Sequence, residues 1–309
     1  MKVIHNIEDF KPDKPVILTQ GTFDGVHFGH KKILKHVVSE AQKIGGESVL
    51  LTFYPHPRLV LYPDDNELKL LTTIEEKVKL VASLGIDNLI IMPFTQELSR
   101  LKPDEFVRDI LVEKLCISKL IIGYDHRFGR NREGGMAEMK HFAETYNFSL
   151  EEIAAQDISE SIVSSTKIRE ALLNGKVHLA SKYLETNYVI TGKVEEGLQR
   201  GTAIGFPTAN IRVNSSYKLI PKNGVYAVWV YIGQNKYAGM LNIGYNPTFE
   251  DKKWSVEVHI FDFNENVYHK EISLEFVEYT RDELKFKDAT ALINQLRKDE
   301  KEIRALLEV

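Results

Sequence analysis

Short apolar runs alternate with helix-period segments through the first half of the chain. Val16–Thr19 reads as a strand, and in Lys31–Gln42 the residues Ile33, Leu34, Val37, Val38 and Ala41 fall on one helical face. The pattern continues with strands at Val49–Phe53, Leu89–Met92 and Leu120–Ile122, and helices at Ile74–Leu84, Pro103–Leu115 and Lys167–Asn174. Strands alternating with helices predict a parallel sheet covered on both faces. Ligands of such sheets bind beyond the carboxyl ends of the strands, so the residues after Thr19 and Ile122 are the first place to look.

From Tyr188 onward the runs are aromatic and β-branched, with little helix between them. Tyr188–Val194, Gly224–Tyr231, Lys236–Ile243, Ser255–Phe261 and Ile272–Tyr279 read as strands, with Gly233-Gln234-Asn235 as a hairpin turn. This spacing predicts an antiparallel barrel or sandwich. A long helix, Asp288–Leu307, closes the chain with Asp288 as its cap. The change of pattern falls near Leu184–Asn187 and divides the chain into 1–184 and 187–309.

Composition narrows the class. The 309 residues suit two domains, and 43% hydrophobic with 27% charged residues is ordinary for globular proteins. A net charge of −4 disfavours a nucleic-acid binder, although a local basic patch stays possible. No apolar run reaches 18 residues, so no membrane span is expected, and Met1–Phe10 has no signal-peptide pattern. Cys116 is the one cysteine and fits a reducing, cytoplasmic setting. Oligomeric state is left open.

Gly21-Thr22-Phe23-Asp24-Gly25-Val26-His27-Phe28-Gly29-His30 joins the first strand to the first helix. Glycine there lets the backbone approach a ligand, and the helix N-terminus offers free N–H groups to an anion. His27 and His30 can donate to phosphate from the same place. The bland alternative is a glycine turn with two solvated histidines; a zinc site lacks a ligand set of clear metal spacing. Ser164-Ser165-Thr166-Lys167-Ile168-Arg169 opens a later helix, where the hydroxyls can cap it or bind phosphate and Arg169 can neutralise phosphate charge. In the second half, Arg200–Asn210 contains Gly201, Gly205, Thr208 and Asn210. That composition suits either a phosphate and magnesium loop or an ordinary Gly/Pro turn.

The His-x-Gly-His string resembles that of the HxGH nucleotidyltransferases, and Ser-Ser-Thr-x-x-Arg resembles their late motif, with Val163 before it. The KMSKS loop of the related tRNA synthetases is absent. Thr52–Pro57 and Gly123–Gly129 extend the resemblance to the adenylyltransferase half of bacterial bifunctional riboflavin kinase/FAD synthetases. Gly205–Asn210 resembles the riboflavin kinase GFPTAN signature. Pro221–Ala227, Asn242–Phe249, Glu257–Phe263 and Arg281–Phe286 resemble that family's further segments.

The resemblance implies an N-terminal Rossmann-like nucleotidyltransferase domain and a C-terminal antiparallel β-barrel. It implies ATP-dependent phosphorylation of riboflavin to FMN, then adenylylation of FMN to FAD with release of pyrophosphate. Glu257 is implied as the kinase base, and Thr208 and Asn210 as Mg2+ and phosphate holders with Gly201 and Gly205. Gly21, Phe23, His27, Gly29, His30, Ser164, Ser165, Thr166 and Arg169 are implied for nucleotide binding and transfer. Phe53, Asp125, Arg281, Glu283 and Phe286 are implied as flavin contacts.

ATP, riboflavin and FMN are then the small-molecule partners. Loss of one activity, or a non-catalytic flavin-binding regulator, is the alternative. Departures from the family pattern fall at His126, Glu195, Glu196, Gln199 and His269. The two acids would add negative charge near a phosphate loop.

Overall fold

The computed structural model describes residues 1–64, 68–123, 127–130, 133–154, 163–197, 200–245 and 254–309. The chain divides into two compact units, Met1–Ser165 and Thr166–Val309. The division falls earlier than the change of sequence pattern near 184. Helices α7 (Ser165–Leu173) and α8 (Val177–Leu184) belong largely to the second unit, where Lys222 N–H donates to Leu172 O.

The first unit carries β1 (Lys2–Ile4), β2 (Val16–Gln20), β3 (Glu47–Tyr54), β4 (Asn88–Pro93), β5 (Ile117–Gly123) and β6 (Ser149–Ile153). They form one parallel sheet of order β1-β4-β3-β2-β5-β6. Every residue of β2 is buried, as a central strand covered on both faces requires. Val16, Leu18, Val49 and Leu51 face one apolar core, while Ile17 and Leu50 face the other. The second core lies under α1 (Phe28–Lys43), whose Ile33, Leu34, Val37 and Ala41 form the expected stripe. β3 and β4 lie to one side of β2, and β5 and β6 to the other. The carboxyl ends of β2 and β5 therefore flank the topological switch point.

Further helices of this unit are α2 (Pro57–Leu61), α3 (Ile74–Ala82), α4 (Gln96–Arg100), α5 (Pro103–Glu105) and α6 (Met136–Tyr146). The single α-helix expected over 103–115 is α-helical only at its start. Phe106–Lys114 is a π-helix, with Leu115 N–H bonded to Ile110 O. The pattern gave no sign of β1, β6, α4 or α6.

The second unit is a closed antiparallel barrel of β7 (Val189–Glu195), β8 (Ala209–Val213), β9 (Gly224–Ile232), β10 (Asn235–Gly244), β11 (Ser255–Ile260) and β12 (Glu271–Arg281). The order is β10-β11-β8-β7-β12-β9. β9 and β10 form the expected hairpin, with Ile232 opposite Asn235. A short helix, α9 (Arg200–Ala203), precedes β8. The terminal helix α10 (Ala289–Leu307) packs Ile303 and Leu307 on Phe206, Val225 and Phe261. Asp288 caps it by accepting from Ala291 N–H at 2.8 Å.

Candidate active sites

In the first unit the chain leaves β2 into a tight turn. Gly21 (φ 157°) sits where a Cβ would meet the Phe23 ring at 3.0 Å, and its N–H still donates to Leu51 O. Phe23 (φ 46°) and Val26 (φ 42°) then adopt left-handed backbone, a cost of about 1–3 kcal/mol each that only surrounding structure can hold in place. The Asp24 carboxylate supplies much of that structure. Buried, it accepts from Leu71 N–H at 3.0 Å, Thr72 N–H at 3.1 Å and the Thr72 hydroxyl at 3.3 Å. Thr72 in turn accepts from Gly25 N–H.

This turn sets His27 as the N-cap of α1. Its Nδ1 accepts from His30 N–H at 3.4 Å, so the ring proton lies on Nε2. The His27 and His30 rings stack at 3.6 Å with 15° between planes, and the Phe23 ring lies tilted 4.7 Å from His30. Gly29 is buried within the same helical turn. Burial, followed by His27 and then Lys77, pushes the His30 pKa well below the usual histidine value. Its Nδ1 is buried without a hydrogen-bond partner among the described residues. The helix end thus presents a neutral imidazole with an unused nitrogen where backbone N–H groups favour an anion.

No motif or apolar period in the sequence marks Lys77. It lies on α3 inside a run of charged residues, yet it is buried. Its Nζ donates to Thr22 O at 2.6 Å and to the Thr52 hydroxyl at 3.5 Å. Burial lowers its pKa to about 8, opposed in part by Asp24. The lysine therefore ties the turn after β2 to β3 and places a cation beneath it. Ser165, expected from the late motif, donates to Asp24 O at 2.9 Å and braces the same turn. Ser164 precedes α7, whereas Thr166 and Arg169 lie on that helix within the second unit.

Phe53 packs on the first core beside β2 and meets Phe94 edge-on at 5.8 Å. His56 acts as a local cap, accepting from Arg58 N–H at 3.2 Å. Asp125 and His126 lie outside the described residues.

In the barrel, Val256, Val258 and Ile260 of β11 point inward, which leaves Ser255, Glu257 and His259 on the outer face. The register sets Glu257 opposite Asn242 on β10 and opposite Asn210 on β8. Its carboxylate accepts from the Ser255 hydroxyl at 2.7 Å and the Thr208 hydroxyl at 3.3 Å. The three residues singled out for this half, Glu257, Thr208 and Asn210, therefore meet on one patch. Hydroxyl, amide and carboxylate oxygens form a hard donor set that suits Mg2+, which keeps several waters and phosphate oxygens of its own.

The loop feeding this patch is closely packed. A Cβ on Gly201 would collide with Phe206 O, and Phe206 N–H donates back to Gly201 O at 2.8 Å. Gly205 (φ 86°) turns the chain in open space. Glu195, one of the two unexpected acids, is paired with Arg212 at 2.9 Å, which offsets its charge. His269 holds φ 65°, a left-handed backbone region in which glycine is the least strained residue. Gln199 and the segment 246–249 lie outside the described residues.

Arg281 and Glu283 are both engaged by the protein. The Arg281 guanidinium forks onto buried Asp299 of α10 at 2.6–3.1 Å and donates to Asp282 O. Gln295 also donates to Asp299, at 2.7 Å. Glu283 accepts from Tyr245 N–H at 3.0 Å, lying against Gly244 where any Cβ would collide with it. Phe286 is half-buried on the loop before α10.

Comparisons with known proteins assign a family to each half of the chain. The FAD synthetase family matches residues 9–167, and the riboflavin kinase family matches residues 184–307. The bifunctional riboflavin kinase/FMN adenylyltransferase of Listeria monocytogenes is 39% identical over 94% of this chain and 91% of its own. The Bacillus subtilis protein of the same name is 36% identical over 93% and 90%. A Streptococcus pneumoniae crystal structure described as a macrolide-efflux protein superposes with a TM-score of 0.87 at 28% identity, covering 98% of each chain. No described helix here is long and apolar enough to cross a membrane. With both family matches in order along one chain, and relatives similar over nearly all of it, the chain belongs to the bifunctional riboflavin kinase/FMN adenylyltransferases.

Proposed function

We propose that the barrel patch around Glu257 phosphorylates riboflavin and that the turn after β2 adenylylates the FMN produced. For the kinase, the supporting observation is the Glu257 carboxylate fixed between Ser255 and Thr208, with Asn210 in register beside it. A ribityl hydroxyl is a poor nucleophile. Glu257 takes its proton as the oxygen attacks the γ-phosphorus of ATP, and ADP leaves. Thr208 and Asn210 would hold Mg2+, which neutralises phosphate charge when bound. Gly201 and Gly205 let the loop backbone come close to phosphate, and Arg281 keeps the flavin-side loop docked on α10.

For the transferase, the supporting observation is the stacked His27–His30 pair at the start of α1. An FMN phosphate oxygen attacks the α-phosphorus of ATP, and pyrophosphate leaves, with no covalent enzyme intermediate. Neutral His30 donates an N–H to the phosphate, and His27 donates from Nε2. Gly21 and Gly29 allow close approach, and Lys77 and Ser165 fix the turn. The motif match alone brings Ser164, Thr166, Arg169 and Asp125 into this reading. A cytoplasmic setting follows from the use of ATP.

The test is incubation of the purified protein with riboflavin and MgATP, followed by chromatography. FMN and FAD both appear if the reading holds. FMN alone removes the transferase, FAD only from supplied FMN removes the kinase, and neither product removes both.

A further inference from the structure

Gln20 is the last residue of the central strand β2, at the switch point of the sheet. It is 5% exposed, and neither its Nε2 nor its Oε1 has a hydrogen-bond partner among the described residues. Leaving both ends of an amide unpaired is expensive, and such groups in folded proteins call for a partner supplied from elsewhere. An apolar residue would have been cheaper here, as Val16 and Leu18 illustrate on the same strand.

Strand alternation places Gln20 on the face of Val16 and Leu18, away from α1. On β3, Phe53 follows Leu51, the residue in register with Gln20, and packs on that same face. Phe94 meets the Phe53 ring edge-on. The carboxyl edge of the sheet therefore combines one unsatisfied amide with an apolar aromatic floor.

We propose that Gln20 is a specificity-determining residue for the adenylyl transfer, pairing with the pyrimidine edge of the FMN isoalloxazine ring. This rests on the transferase reading given above. The ring suits the surface because its two ends differ. One end offers a carbonyl acceptor beside the N3–H donor, the complement of a carboxamide. The other end is a dimethylbenzene, which suits Phe53 and Phe94. Adenine is polar around most of its perimeter and would leave ring nitrogens unpaired against those phenyl groups.

The experiment measures FAD formation from supplied FMN or N3-methyl-FMN with MgATP, on the full chain and on Gln20→Leu. The wild type should show a KM about tenfold higher for N3-methyl-FMN than for FMN. Gln20→Leu should raise the FMN KM about tenfold, leave the ATP KM within twofold, and use the two flavins equally well. Riboflavin phosphorylation should be unchanged. Equal use of both flavins by the wild type overturns the proposal without any variant. So does a Gln20→Leu protein with unaltered FMN KM, or with the ATP KM raised instead. Failure of the wild type to form any FAD would instead overturn the transferase reading itself.

Discussion

Replacing Lys77 with methionine should change how stability depends on pH. In the folded protein its pKa lies near 8, against 10.5 for the free side chain, and the cause is burial. The shift of 10.5 − 8 = 2.5 pH units corresponds to about 3 kcal/mol. The lysine is buried and solvent does not screen it. Below pH 8 both folded and unfolded chains carry the proton, and the folded state bears the full cost of the buried charge. Between pH 8 and 10.5 the unfolded chain binds one more proton than the folded one, so wild-type stability gains about 1.4 kcal/mol per pH unit from this group. Above 10.5 both are neutral and the effect is complete.

Lys77→Met keeps an apolar stem in the site and has no such titration. The wild-type advantage over the variant should therefore grow by about 3 kcal/mol from pH 7.5 to 10.5. Both tryptophans, Trp229 and Trp254, lie in the barrel unit and report on the wrong half. Urea unfolding is better followed by far-UV circular dichroism. Direct titration of 13Cε-labelled lysines should show one resonance moving near pH 8 that Lys77→Met removes. Parallel stability curves for the two proteins, or no lysine titrating below pH 10, would refute the buried-cation argument. The variant also loses the tether to Thr22 O, so adenylyl transfer should fall while FMN formation continues.

Other expectations separate the two halves. Glu257→Gln should lower FMN formation at least ~10²-fold while FAD formation from supplied FMN survives, and His30→Ala should do the reverse, as chromatography of both reactions would reveal. Gly244→Ala should displace Glu283 from Tyr245 N–H and raise the riboflavin KM; adding Glu283→Ala should relieve the collision but not the backbone strain at φ 153°, so thermal melting should show only part of the lost stability recovered. Asp299→Ala should strand the Arg281 guanidinium and destabilise the barrel by about 3–5 kcal/mol, whereas an apolar pair at 281 and 299 should restore much of the loss in denaturant unfolding.

The sheet, the barrel and the closing helix were legible because their residues bury apolar groups at fixed periods. The edge strands were not. β1 is three residues long, and β6 is Ser149-Leu150-Glu151-Glu152-Ile153, whose pairing rests on backbone bonds that side-chain pattern does not record. β8 starts at the end of Arg200–Asn210, a segment that reads as a phosphate loop or a Gly/Pro turn, although Ala209 and Asn210 are already paired residues of a barrel strand. His27, His30, Thr208 and Glu257 stood out because their chemistry is local or motif-borne. Lys77 did not, since Glu-Glu-Lys-Val-Lys reads as a solvated helix face. Only its contacts with Thr22 and Thr52, 55 and 25 positions earlier in the chain, make it internal.

The features that pattern failed to anticipate are gathered around one turn. Gln20 is a buried amide with no partner among the described residues, Phe23 and Val26 hold left-handed backbone, Lys77 is a buried cation, and His30 is held neutral. Each opposes stability, and in an ordinary loop none would persist beside the others. The sheet can hold them because β2 is packed on both faces and Asp24 fixes Leu71 and Thr72. What the arrangement gains is a rigid backbone at a helix N-terminus, with donors already aimed before an anion arrives. The barrel solves its task differently: Glu257 lies on an outer strand face, oriented by two hydroxyls rather than by buried charge. The transferase turn should therefore be the more sensitive of the two sites to changes distant from substrate, because its geometry depends on buried Thr52 of β3, buried Lys77 of α3 and Ser165 at the start of α7.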